Sequence, residues 1–195
     1  SNKGHVASGT SIKQRGHAEA LRLISESGAD SFYRGPIAQA MVASAQRAGG
    51  VLTLADLAAY REHSGLRGLE RALTLTPEQV VSEVTTSGLR GRGGAGFPAG
   101  IKWETVRTAD ADVKFVCCNA DEGDSGTFAD RMVMEGDPLM LIEGMTIAGI
   151  AAGATKGYVY IRSEYPDAIA TMKEAILIAG NAGWLGRNIQ GTDKS

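Results

Sequence analysis

The amino-acid sequence predicts an α/β protein, in which an N-terminal helical segment precedes a truncated Rossmann-like βαβα unit with parallel strands. Three observations carry that reading. Apolar residues recur at helical spacing up to about residue 90. Two short β-rich runs, VKFVCC (113–118) and GYVYIR (157–162), then break that period. Each run is followed by a helix opened by a proline, Pro138 or Pro166. Strand alternating with helix implies parallel strands joined by right-handed crossovers.

Residues 1–12 are small and polar and are expected to be loose. A helix is predicted over about 16–27, with Ala18, Leu21 and Ile24 on one face and Gly28 as its stop. A second opens at Pro36, carries Ile37, Met41, Ala45 and Ala48 at helical spacing, and ends at Gly49-Gly50. Thr53 caps a third start, with Asp56 three residues on and an apolar face of Leu57 and Tyr60. Leu66, Leu69 and Leu73 mark a short helix. Thr76, Pro77 and Gln79 spell a capping box for the next, over TPEQVVSEV, with Gly88 as its exit. VKFVCC reads as a buried strand. Asp137 caps the apolar helix that Pro138 opens, and the helix from Pro166 is expected to bury Ile169, Met172, Ile176 and Ala179 and to stop at Gly180.

Bulk properties narrow the function. The 195 residues suffice for one medium domain or two small ones. A formal charge of −2 gives no electrostatic footprint for nucleic acid. Cys117 and Cys118 are adjacent, so in a strand they point to opposite faces and a bridge between them would be strained. Without Cys-x-x-Cys spacing they cannot hold an iron–sulfur cluster, and the scattered His5, His17 and His63 argue against a zinc cage. No metal site is expected. The cysteines read as strand packing, Met132, Met134, Met140, Met145 and Met172 as core, and Trp184 as a packing anchor. Residues 1–20 lack the apolar core of a signal peptide, and Glu143 and glycines interrupt the stretch 138–154, so a cytoplasmic location without a membrane span is expected.

Two loops carry chemistry. In LRGRGGAGFPAGIKW (89–103), Gly91, Gly93 and Gly96 have dinucleotide spacing, but a glycine-rich stretch yields that spacing easily. The dinucleotide fingerprint comes after a strand and opens a helix. Here a capped helix precedes, and Pro98 with Gly100 is expected to interrupt any helix after the loop, so an ordinary Rossmann loop is rejected. The remaining feature is bare backbone with room for a phosphate or a flat aromatic ligand, with Arg90, Arg92 and Lys102 supplying positive charge. One Arg-Gly-Gly triplet in an acidic chain does not make an RNA-binding segment. The second loop, CCNADEGDSGTFADR (117–131), starts where the first predicted strand ends, which is where open α/β sheets bind ligands. Asn119, Asp121, Glu122 and Asp124 can accept from ring N–H groups and sugar hydroxyls; the Asp-x-Asp-x-Asp-Gly ladder of a calcium loop is missing.

These stretches, with EGDP, LIEGMTIAG and GYVYIRSEYP, resemble in order the FMN- and NADH-binding flavoprotein subunit of respiratory complex I and the beta subunits of NAD-dependent formate dehydrogenases and NAD-reducing hydrogenases. DSGTFADRM leans toward the formate dehydrogenase branch. The resemblance runs over about 63–188. It implies FMN and NAD as cofactors, hydride transfer from NADH to FMN, and partner subunits carrying iron–sulfur clusters, with no cluster in this chain. It places Gly91, Arg92, Gly93 and Gly94 along flavin and nucleotide, Lys102, Asn119 and Asp121 on FMN, and Glu122 and Asp124 on the nicotinamide side. Complex I members often carry Glu where Asp124 stands. Because the family's later flavin loop and cluster domain are not matched, the implied turnover is small.

The first third resembles something else. Residues 17–62, with GADSFYRGPIA and GGVLTLADLAAYR, are similar to the large-subunit region of γ-glutamyltranspeptidases, which act through an N-terminal threonine. The small subunit supplying that threonine is not matched, so this piece is not expected to catalyse. The expected organisation is a helical transpeptidase-like segment over 1–62 and a truncated FMN/NADH-binding α/β domain over 63–195, joined as in a chimera or fusion. Two other function classes stand beside this one: a γ-glutamyltransferase or hydrolase fragment, and a non-catalytic helical interaction module.

Overall fold

The computed structural model describes residues 59–195, and the helices predicted before residue 59 lie outside the described residues. A helical turn at 59–62 leads into α1 (Arg67–Leu73), α2 (Pro77–Thr86) and α3 (Ala99–Thr108). Then come β1 (Phe115–Ala120), α4 (Ala129–Gly136), α5 (Pro138–Ala152), β2 (Lys156–Ile161) and α6 (Pro166–Asn181). The α/β class is as the sequence predicts. β1 and β2 pair in parallel, with Phe115 opposite Lys156 and Ala120 opposite Ile161.

The middle of the molecule is α5. It is apolar all round, the signature of a helix buried on every side, and it packs on α1, α2, α3, α4, α6 and both strands. Pro138 at its first turn, the Asp137 carboxylate accepting from the Met140 amide at 3.1 Å, and left-handed Gly153 after its last turn fix its two ends. Glu143 is the exception on this helix, a buried carboxylate. It reaches the start of α1 and accepts from the Leu66 and Leu69 amides, each at 2.8 Å, and from the Tyr60 hydroxyl. Helix α1 has no side-chain cap of its own, so its exposed N–H groups are satisfied across 74 to 77 residues of chain. Burial first, then the hydrogen bond to Glu143, pushes the Tyr60 phenol far above its usual range, so it stays a donor. The Tyr60 ring lies 5.9 Å from that of Trp184, which is buried as the sequence suggests.

The capping box of α2 forms as read: the Gln79 amide donates to Thr76 Oγ1, and Gln79 Oε1 accepts from the Thr76 amide. Helix α3 is a correction. Pro98 and Gly100 do not interrupt the chain; Pro98 sits in the N-cap position, and the helix runs on from Ala99. Gly100 is there because α2 and α3 pack closely: a Cβ on Gly100 would lie 2.8 Å from Thr85 Cα. At the other end of the pair Arg107 holds Glu104 at 2.8 Å and Glu78 at 2.6 Å, so the two helices run antiparallel.

Three further expectations are corrected. β1 is not buried on both faces. Val116, Cys118 and Ala120 face the helices, whereas Phe115 and Cys117 are exposed beside Tyr158 and Tyr160, because among the described residues helices cover one face of the sheet only. On α6 the buried stripe is Ala168, Thr171, Met172, Ala175, Ile178 and Ala179, which leaves Ile176 exposed. Met134 and Met172 are core, but Met132 and Met140 face outward. Helix α4, over ADRMVMEG, is not expected from the sequence.

Replacing Glu143 by Ala strands two backbone donors and a phenol, so Glu143→Ala should lower unfolding free energy by roughly 3–5 kcal/mol; urea denaturation measures it, and a loss under about 1 kcal/mol counts against the cap. Gly100→Ala gains helix propensity yet drives a methyl into the Thr85 backbone. A net loss of about 1–2 kcal/mol is expected in the same assay, where a stabilised variant would show that the helices can separate at no cost.

Candidate nucleotide-binding site

The topology places the acidic half of the predicted site at one edge. Parallel strands joined through α5 put the starts of α5 and α6 at the carboxyl end of the sheet, beside the loop that leaves β1 at residue 121. Helix N-termini collected there favour anionic ligands. Helix α3 leads into β1 through the short connection 109–114 and packs on α5, with Trp103 against the cluster of Ala72, Val80, Val81 and Ala151.

The glycine loop is closed by its own chain. The Gly91 amide donates to Phe97 O at 2.9 Å, the Ala99 amide to Leu89 O at 2.9 Å, and the Arg90 guanidinium to Gly96 O at 2.8 Å. Arg90 is therefore occupied as a strap. Gly93, Gly94 and Gly96 meet nothing within 4 Å where a Cβ would stand, and Gly94 and Gly96 adopt φ of 104° and 59°. Their lack of side chain leaves open, solvent-facing backbone. Arg92 and Lys102 are exposed and make no hydrogen bond or ion pair from their side chains among the described residues. The start of α3 has no side-chain cap.

The acidic loop is more constrained. Asn119 is exposed on the outer face of β1, two residues from Cys117, and its Oδ1 accepts from the Asp121 amide at 3.3 Å. Asp121 is half-buried and Asp124 exposed. Glu122 adopts φ 46°, and its carboxylate turns inward to cap α4, accepting from the Asp130 amide at 2.8 Å and the Arg131 amide at 3.1 Å. Burial works to raise the Glu122 carboxyl, but these amides, that of Ala129 and the Tyr165 hydroxyl together hold it below the usual range. Among the described residues no hydrogen bond or ion pair joins the glycine loop to residues 119–124. Sequence reasoning missed Arg131, Arg162 and Tyr165, which surround Glu122; their signal is an Arg and a Tyr just past a strand that ends at this edge.

A cavity of about 700 Å³ lies elsewhere, between α5, the inner face of the sheet and the C-terminal segment, with Val116, Met145, Ile150, Lys156 and Arg187 among its lining. None of the expected site residues lines it, and the polar groups able to orient a nucleotide are on the loops instead. Among the described residues no cluster of His, Cys, Asp or Glu could hold a metal, and no helix is long and apolar enough to cross a membrane.

An open glycine loop at a helix start and an acidic loop at the carboxyl end of a parallel strand pair are features of nucleotide-binding α/β units. The chain belongs to the family described as the Nuo51 FMN-binding domain, whose model matches residues 84–192. Residues 1–76 match the gamma-glutamyltranspeptidase family model, so matches to two families stand in tandem. Among curated relatives, the F 2 subunit of the NADH-quinone oxidoreductase of Rhizobium meliloti is 50% identical over 70% of this chain and 32% of its own length. The HndC subunit of the NADP-reducing hydrogenase of Solidesulfovibrio fructosivorans is 56% identical over 66% of this chain and 26% of its own. A solved NAD+-reducing NiFe-hydrogenase in the H2-reduced state superposes with a TM-score of 0.54 at 39% identity, covering 59% of this chain and 20% of the other. The chain thus spans about a third or less of the relatives it matches.

The two thiols report on this edge. Cys117 is exposed near Asn119, whereas Cys118 faces the core, where burial first and the Asp130 carboxylate second push its thiol up. Iodoacetamide at pH 8 should therefore add one group to the folded chain and two in denaturant, with Cys117→Ser abolishing the native addition; native modification of both thiols, read by mass, would show the inner face to be open.

Proposed function

We propose that this chain carries the FMN- and NAD(H)-binding part of an NADH:acceptor oxidoreductase flavoprotein subunit. The observation that carries this is the glycine loop: backbone left open at Gly93, Gly94 and Gly96, with Arg92 and Lys102 uncommitted beside the uncapped start of α3. The positive φ of Gly94 and Gly96 favours glycine by itself, whereas Gly93 has neither a positive φ nor a close neighbour among the described residues to require it, and an external planar ligand approaching the backbone gives a reason for all three. The residues present fit FMN on that ground.

In this reading Gly91, Arg92, Gly93 and Gly94 lie along the flavin and its phosphate, and Lys102 supplies a second cation. Asn119 accepts from or donates to the flavin ring and sugar chain, and the Asp121 carboxylate accepts from them. Asp124 faces the nicotinamide side. Glu122 serves that side through the loop it shapes, its own carboxylate being engaged on α4. When bound, FMN supplies the chemistry: it takes a hydride from NADH and passes electrons on singly. The chain's part is to bind and orient. Uncommitted cations neutralise the phosphate, the open loop admits the ring, and hydrogen-bond acceptors at the strand end fix its position.

The parent complex belongs, in this proposal, with NAD-linked dehydrogenases and hydrogenases, the formate dehydrogenase branch included, and its partners are iron–sulfur subunits. In the same proposal residues 1–62 are the transpeptidase-like part and 63–195 the flavin half. Over this length the chain supplies only part of a pocket. Each absent contact is worth on the order of 1 kcal/mol, so the chain alone binds FMN weakly and turns over little.

Titration of the purified chain with FMN, followed by flavin fluorescence, tests the reading. Saturable quenching is expected, with the double variant Asn119→Ala plus Asp121→Ala weakening it at least roughly tenfold. Equal quenching by the double variant, or none up to millimolar FMN, sinks it. A chromogenic γ-glutamyl substrate should show no turnover; hydrolysis of it would favour the transferase reading instead.

A further inference from the structure

We infer that Arg162 and Tyr165 are positioning residues for the acidic strand-end loop. They clamp it from the end of β2 into the shape in which Asn119, Asp121 and Asp124 face the ligand. The inference rests on the proposed flavin-binding reading for what that ligand is, though not for the clamp itself.

The chain leaves β1 with no regular structure before α4 begins at Ala129, and Glu122 sits in a left-handed conformation that a residue with a side chain adopts only when held there. Two sets of contacts hold it. On its backbone, Arg162 Nη1 donates to Glu122 O at 3.0 Å, a charge-assisted bond spanning forty residues of chain. On its side chain, Glu122 accepts from the Asp130 and Arg131 amides, and the Tyr165 hydroxyl lies 3.5 Å from both Glu122 Oε2 and Thr127 O. The loop is therefore pinned at its start and near its end by residues beyond β2.

Arg162 and Tyr165 are themselves fixed. Tyr165 is 7% exposed, and its ring has the Arg162 guanidinium and the Arg131 guanidinium each 5.4 Å from its centroid. Cations near an aromatic ring in a half-buried setting attract it and resist displacement. Arg162 Nη2 also holds Glu164 at 3.1 Å and Arg131 Nε holds Glu135 at 2.9 Å, while Arg162 Nε is buried without a partner among the described residues. A surface loop holding itself would need none of this. A loop whose acceptors must meet a ligand in one geometry does, and preorganisation of that kind is supplied by residues that do not touch the ligand.

The test compares Arg162→Gln, Arg162→Lys and Tyr165→Phe with the parent full-length chain in two readouts. The first needs no ligand: hydrogen exchange at the Asp130 and Arg131 amides, which the pinned Glu122 carboxylate protects. Exchange there should rise roughly tenfold or more in Arg162→Gln while amides of α5 stay protected, showing that the fold survives. Arg162→Lys, which can still donate to Glu122 O, should recover part of that protection. The second readout is FMN: the dissociation constant should rise roughly tenfold, and the visible circular dichroism of the flavin at saturation should change. Loss of folded fraction alone would leave that saturated spectrum as it is. Unchanged exchange in Arg162→Gln overturns the clamp, and altered exchange with an unaltered flavin constant and spectrum overturns its positioning role. Should the parent chain bind no FMN, the flavin reading fails by itself, and the exchange result alone decides whether the clamp exists.

Discussion

The carboxylate of Glu143 sits where three donors from a distant stretch of chain converge, inside a helix that is otherwise apolar. A buried charge is expensive unless it is fully hydrogen-bonded, and here the backbone supplies most of what is needed. The exchange is mutual. Helix α1, only Arg67–Leu73, is too short to hold itself and lacks a cap of its own; Glu143 gives it one, and its dipole gives Glu143 a partial positive charge. With α1 fixed, Leu69 and Ala72 are held against α5, and Lys194 at the other end of the chain can reach the last carbonyls of that stretch, at Ala72 and Leu75. Gly68 is part of the same fit, since a Cβ there would stand 3.0 Å from Glu143 Oε1.

The site edge depends on that centre at one remove. Helix α5 covers the inner face of both strands and offers the surface on which α2 and α3 pack, and α3 carries the glycine loop at its start. Glycine is thus used in two opposite ways within ten residues. At Gly100 it lets two helices touch, and any side chain would be refused by Thr85. At Gly93, Gly94 and Gly96 no neighbouring atom of the described residues refuses a side chain, although the positive φ of Gly94 and Gly96 disfavours one. The first kind serves helix packing and the second leaves open backbone, and the two cannot be told apart from composition.

The same distinction between local and distant causes sets how much was legible in the sequence. Thr76-Pro77-Glu78-Gln79 and Asp137-Pro138 are local signals, each complete within one turn, and both form as read. Trp184 and the parallel order of the strands were legible for similar reasons: size in one case, alternation in the other. Helix α3 was hidden because Pro98 and Gly100 are read as breakers, when one occupies a cap position and the other a helix crossing. Helix α4 was hidden because its cap, Glu122, lies seven residues ahead of it behind a glycine-rich loop. The outward turn of Ile176, Met132 and Met140 depends on where neighbours end, which no window of sequence records. At the site the types of chemistry were readable, but the inward commitment of Glu122 was not, because its amide partners lie eight and nine residues on across an irregular loop, nor were the roles of Arg162 and Tyr165, whose partner Glu122 lies about forty residues away.

The contact from Tyr60 to Glu143 spans 83 residues, and that separation has a meaning in time as well as in space. A ribosome adds about 5–20 residues each second, so Tyr60 waits on the order of ten seconds for its acceptor to be made. Throughout that interval the donors at Tyr60, Leu66 and Leu69 are without the acceptor that they use in the folded chain. The tandem arrangement of two family matches therefore creates a kinetic seam in the nascent chain. The seam is closed by the carboxylate of a helix from the far side, so the contacts that tie the last of the transpeptidase-like match to α5 can form only after much of the flavoprotein-like match has been synthesised.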